Sequence, residues 1–157
     1  MNALPQTLQQ ILETELSLVQ CFIDILQAEA EALEQPDHGE ALDASTRQKN
    51  TCIAQLNETG QARENTLRAL GYGTDRAGLE QAVLAFPQLA EHCTRLFALG
   101  HQASELNAAN GAIIDTYLKH TQQALQAMRH LTGGSDLYDA NGRTDPHKGR
   151  RTSITAG

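Results

Sequence analysis

The tightest constraint in this chain is the spacing of its apolar residues. Over about residues 5–35, Leu8, Ile11, Leu12, Leu16, Val19, Phe22, Ile23 and Leu26 recur at intervals of three and four. That repeat lines one side of an α-helix, whereas a strand, with side chains alternating between faces, has no use for it. The spacing predicts a helix roughly 44 Å long at 1.5 Å per residue. Leu18 and Ile25 widen the stripe, so this helix is covered on more than one side. Pro5 suits a first turn, where no N–H is needed, and Pro36 ends the pattern. Past Leu26 the stripe thins to alanines and Leu33 among Glu29, Glu31 and Glu34, and that end is expected to fray or to face solvent.

Asp37-His38-Gly39-Glu40 has the pattern of a capping box, with Asp37 expected to accept from the N–H of Glu40 and so start a second helix. Its seam reads Leu42, Thr46, Lys49, Ile53, Leu56, Gly60, Arg63, Leu67 and Leu70, a heptad-like alternation of three and four. Thr46, Lys49, Gly60 and Arg63 weaken that seam. The helix is therefore expected either to be mobile and leave a groove, or to present a rotated or kinked face. Gly71 stands where a left-handed cap would close it. A short helix follows over residues 74–85, folding Leu79, Val83 and Phe86 back over the hairpin. A third long helix is predicted over residues 87–131, with Leu89, Leu96, Leu99, Ala103, Leu106, Asn110, Ile113, Tyr117, Ala124, Leu125, Met128 and Leu131 on its inward side. At about 68 Å it outruns the other helices, and Gly100 and Gly111 are the places where it would bend. Gly133-Gly134 ends it, and residues 133–157 are too rich in Gly, Ser, Thr, Asp, Asn, Arg and Lys to order themselves alone.

Composition narrows the fold to all-α. Hydrophobic residues make up 40% but aromatics only 4%, with no Trp, which suits helices packed side by side better than a sheet. The expected architecture is an antiparallel helical hairpin or three-helix coiled-coil bundle with an extra short helix. It divides into a helical domain over residues 1–132 and a disordered C-terminal tail over residues 133–157. The net charge of −7 argues against nucleic acid, since phosphate binding needs a basic surface. The charge is uneven: beyond Leu131, Arg143, Lys148, Arg150 and Arg151 stand against Asp136, Asp139 and Asp145, leaving the tail at +1 and the rest at −8. No apolar run of about 18 residues or secretory leader is present, so a cytoplasmic protein with no membrane insertion is expected. Cys21, Cys52 and Cys93 are odd in number and scattered, the pattern of free core thiols rather than of a disulfide or zinc set.

The search for chemistry turns up no catalytic constellation. His38, His92, His101, His120, His130 and His147 form no zinc-type pair, and no Glu-x-x-His repeat of a di-iron bundle is present, so no metal, cofactor or catalytic residue is expected. His120, preceded by Lys119, offers a histidine phosphotransfer module as an alternative, although Lys119 lies about 100° around the helix. A structural coiled-coil adaptor is a further alternative. Asn107 and Asn110, beside Gly111, either mark register in a buried seam or hydrogen-bond a partner helix in a groove.

The run LNAANGAIIDTYLKHTQQALQAM, followed by LYDANGRT and the basic ending HKGRRTSI, resembles the FlgN family of flagellar type III export chaperones. The resemblance is specific over the last third of the chain and elsewhere rests on the helical layout. It implies a nonenzymatic chaperone that binds the C-terminal helices of the hook-associated proteins FlgK and FlgL, prevents their premature assembly, and delivers them to the export gate protein FlhA. With the resemblance, the long helix becomes the client surface, comprising Leu106, Asn107, Asn110, Gly111, Ile113, Ile114, Tyr117, Leu118 and Leu125. A tyrosine after the last helix docks on the gate in this family, which implies that role for Tyr138 with its neighbour Leu137.

Overall fold

The computed structural model describes residues 3–131. They are helical almost throughout: α1 (Leu4–Leu33), α2 (Gly39–Ala69), α3 (Arg76–Ala85), a 3-10 turn (Pro87–Leu89) and α4 (Ala90–Leu131), with no strand among the described residues. The all-α expectation holds. The described residues divide at Gly111 into two units, residues 3–111 and residues 112–131.

Within residues 3–111, α1 is the helix around which the rest is assembled. Its Leu8 and Leu12 meet Leu67 of α2, Leu79 and Ala82 of α3, and Leu89 and Cys93 in one buried cluster. Farther along, Val19, Ile23 and Leu26 meet Ala103 of α4, with Phe22, Leu56, Leu96, Leu99 and Leu106 packed around them. The anticipated thinning of the stripe after Leu26 does not fray the helix. Glu29 is 1% exposed and α1 continues to Leu33, because Glu29 finds partners on two other helices.

The α2 seam is where sequence and structure differ most instructively. One row, Leu42, Lys49, Leu56, Arg63 and Leu70, is half-buried as expected. In the N-terminal half the companion row is Ser45 and Cys52, three residues on, and not Thr46 and Ile53, four residues on. Ile53 is left 41% exposed. Ser and Cys are small enough to let two backbones approach, and the Cys52 thiol donates to the Leu18 carbonyl oxygen of α1 at 3.4 Å. In the C-terminal half Thr66 and Leu67 are both buried, since the α3 side of the cluster also covers Leu67. The face is rotated, which was one of the two expectations for it.

Lys49 and Arg63 do not weaken the α1–α2 contact, because α1 supplies their counter-charges. Lys49 Nζ lies 3.1 Å from Glu29 Oε1, and Arg63 Nη1 pairs with Glu15 Oε1. Glu15 and Glu29 stand two heptads apart on α1, as do Lys49 and Arg63 on α2. An antiparallel hairpin therefore satisfies both pairs in one register, with Phe22 and Leu56 packed in the cluster between them.

The helix ends follow local chemistry, with one correction. The capping box does not form: His38, not Asp37, is the N-cap of α2 and no side chain caps it; the His38 ring Nδ1 instead sits 2.9 Å from the Gln35 carbonyl oxygen. Gly71 closes α2 as expected, at φ +88°, with Tyr72 N–H donating to Leu67 O at 2.9 Å and Gly71 N–H to Arg68 O at 3.0 Å, the paired bonds of a Schellman cap. Asp75 caps α3 by accepting from Gly78 N–H at 2.8 Å. A Cβ on Gly78 would fall 1.9 Å from the Gly73 carbonyl oxygen, so only glycine fits that approach. The Arg76 guanidinium lies 4.1 Å over the Phe97 ring, tying α3 to α4. Pro87 begins the 3-10 turn rather than the long helix itself.

Candidate client-binding surface

α4 is α-helical through both Gly100 and Gly111, yet its two parts use their side chains differently. Up to Gly111 it buries Cys93, Ala103 and Asn110. Over residues 112–131 nothing is fully buried: Ile114 and Arg129 are partly covered and every other residue is exposed. The exposed residues include Ile113, Tyr117, Leu118 at 52%, Leu125, Met128 at 60% and Leu131 at 86%. Of the eight large hydrophobic side chains that the described residues expose, six lie in this stretch, so the apolar exposure is concentrated rather than scattered. A shallow hollow lined by Ala112, Ile113, Thr116, Tyr117 and His120 is part of it.

The expected surface residues separate into two groups. Asn110 is 2% exposed, and its side-chain amide donates to the Leu26 carbonyl oxygen at 2.9 Å and to Glu29 Oε1 at 3.1 Å. With Lys49 on the same carboxylate, three helices meet in one buried polar cluster. The register reading of Asn110 describes this position. Leu106 packs on the α1 cluster and Gly111 is half-buried, whereas Asn107 is exposed. Ile113, Tyr117, Leu118 and Leu125 are exposed, with Ile114 partly so. Leu137 and Tyr138 lie outside the described residues, as does the whole span 133–157 expected to form the tail.

Sequence reasoning missed Glu15 and Glu29, although their two-heptad spacing, matched by Lys49 and Arg63, was a signal. Cys21 is exposed rather than in the core, while Cys52 and Cys93 are buried. Burial pushes both buried thiols up from their ordinary range; the neighbouring Cys21 adds to this at Cys52, and the Arg63 guanidinium partly offsets it at Cys93. Among the described residues no cluster of His, Cys, Asp or Glu is placed to hold a metal ion, and no helix is long and apolar enough to cross a membrane.

The model of the FlgN protein family matches residues 1–146. The chain belongs to the FlgN family. That match extends the resemblance from the last third of the sequence to nearly all of it, including the α1–α2 hairpin. Membership makes this protein, in general terms, a flagellar export chaperone, a family of chaperones rather than enzymes that binds hook-associated proteins in general. Neither the curated proteins nor the solved structures offer a match to this chain.

Proposed function

We propose that this FlgN-family protein holds the C-terminal helices of the hook-associated proteins FlgK and FlgL on the apolar face of residues 112–131, keeps them from assembling prematurely in the cytoplasm, and delivers them to the gate protein FlhA. The observation that carries the reading is the concentration of Ile113, Tyr117, Leu118, Leu125, Met128 and Leu131 on one exposed helical stretch. Apolar surface in water is costly, and a client helix laid on it removes that surface at roughly 25 cal/mol per Å². A client helix held in this way has its own apolar face covered, which is what blocks its assembly. Among the residues first expected on the client surface, Ile113, Tyr117, Leu118 and Leu125 supply direct contact, with Asn107, Gly111 and Ile114 at its margin. Asn110 and Leu106 act by fixing the helix that carries them.

For hand-over we assign Tyr138, with Leu137, to the gate. A single aromatic in an otherwise polar stretch docks into a pocket at an ordering cost, which keeps the contact weak and reversible. Client binding is tested by titrating C-terminal fragments of FlgK and FlgL against wild type and Leu118→Glu/Leu125→Glu. The variant is expected to bind at least tenfold more weakly while retaining its helical spectrum, and unchanged affinity sinks the assignment. Hand-over is tested with Tyr138→Ala, which is expected to keep client affinity and lose capture by the FlhA cytoplasmic domain. Equal capture of variant and wild type removes Tyr138 from the mechanism.

A further inference from the structure

We propose that Cys21 and Cys52 form a modification site, a thiol pair across the α1–α2 contact that hydrogen peroxide converts to a reversible disulfide fastening the hairpin. The proposal concerns residues 3–111 alone and stands apart from the client reading above.

The register of the hairpin brings the two together. The Cys52 thiol is buried and reaches across to α1, where it donates to the Leu18 carbonyl oxygen at 3.4 Å. In a helix a short side chain leans back toward the N-terminus, beside the carbonyl oxygens three and four residues earlier. Thr14 shows that reach within α1, its hydroxyl donating to the Gln10 carbonyl oxygen at 3.0 Å. Leu18 stands three residues before Cys21, so the carbonyl that Cys52 touches is one that the Cys21 side chain lies beside. The thiols act on each other as neighbours. Cys21 helps to hold Cys52 protonated, through charge and through hydrogen bonding. Small residues permit the approach, since Ser45 and Cys52 rather than Thr46 and Ile53 face α1. The pairs Glu15–Arg63 and Glu29–Lys49 fix the register on either side. Cys93 is set apart from both, in the cluster with Leu8 and Leu12.

Exposure and burial divide the roles. Cys21 is exposed, so its thiolate is the group that meets peroxide. It attacks one peroxide oxygen, the O–O bond breaks, and Cys21 becomes a sulfenic acid while hydroxide leaves and takes up a proton. Cys52, buried and held protonated, stays out of that step and serves as the resolving thiol. Its sulfur attacks the Cys21 sulfur, the S–O bond breaks, and the departing hydroxide carries off the Cys52 proton as water. The two thiols together give up two electrons, and the peroxide is reduced to two waters. The new S–S bond closes a loop over residues 22–51 and so restricts the unfolded chain. A thiol reductant reverses it by exchange.

The test uses the full chain, reduced and then treated with hydrogen peroxide. Two of its three thiols are expected to disappear together, the mass to fall by two hydrogen atoms, and a digest to yield one peptide pair joined through Cys21 and Cys52. The thermal midpoint should rise by several degrees and return on adding dithiothreitol. Cys93→Ser should leave all of this unchanged. Cys52→Ser should stop at a sulfenic acid on Cys21 that dimedone captures, whereas Cys21→Ser should leave Cys52 a free thiol. Persistence of the Cys52 thiol while Cys21 passes on to sulfinic acid, or links two chains, overturns the proposal. So does a disulfide in which Cys93 replaces either partner. A Cys21–Cys52 bond that lowers the midpoint overturns it as well, because the native register then does not bring the two thiols together.

Discussion

The two stretches of α4 have similar apolar content and opposite uses for it. Before Gly111, Cys93, Ala103 and Asn110 are buried and Leu96, Leu99 and Leu106 pack on α1 clusters. After Gly111, Ile113, Tyr117, Leu118, Leu125, Met128 and Leu131 are exposed. The first stretch is stabilised by folding. The second offers the same kind of surface to a partner, so its residues contribute to binding and little to stability. Polar groups sharpen the contrast, because the buried stretch ends on an amide with two partners in α1, whereas His120 in the exposed stretch borders apolar surface.

The largest effects belong to the buried side of this comparison. Leu12→Ala or Leu26→Ala, each at a fully buried position, should cost about 2–5 kcal/mol in a denaturant titration. Met128→Ala should stay within about 0.5 kcal/mol of wild type, and a loss there as large as at Leu26 would break the distinction. Next comes Glu29→Ala, which strands Lys49 and leaves the Asn110 amide only its bond to the Leu26 carbonyl oxygen, and should cost about 3 kcal/mol. A stability equal to wild type would mean that the cluster is ornamental. Somewhat smaller is the coupling of the other ion pair: Glu15→Arg and Arg63→Glu should each destabilise, and the two together should recover most of the loss. A double-mutant cycle should return a coupling of about 0.5–3 kcal/mol, and additive losses would refute the pairing. Smallest in energy is thiol reactivity. A maleimide should label Cys21 first at neutral pH, with Cys52 and Cys93 slower and gaining speed only at more alkaline pH than an ordinary thiol, because burial holds them protonated. Simultaneous labelling of all three would show that the bundle opens readily.

Much of the fold was legible because helices are written in local spacing. The stripe from Leu8 to Leu26, the cap at Gly71 and the return of Leu79 and Phe86 over the hairpin all needed only near neighbours in sequence. The capping box at Asp37 misled because the same four residues offer two starts, and the His38 ring bonded to Gln35 O goes with the later one. At the candidate site, Ile113, Tyr117 and Leu125 stand in the row that periodicity picks out and Leu118 enters only with the family resemblance, but nothing local separated that row's exposed members from Asn110. An amide at a seam position is equally suited to a buried partner and to a ligand, and only the position of the Glu29 carboxylate tells which.

The sequence by itself determined, within a few residues, where the helices lie and that apolar residues continue in helical spacing to Leu131. Tertiary structure decided which row of α2 faces α1. Ser45 and Cys52 displaced Thr46 and Ile53 because small side chains admit a close approach, and Glu15 and Glu29 could neutralise Arg63 and Lys49 only in that register. A buried charge is tolerable when its counter-charge arrives with it. That arrival depends on a second helix some tens of residues away, a distance over which spacing alone carries no instruction.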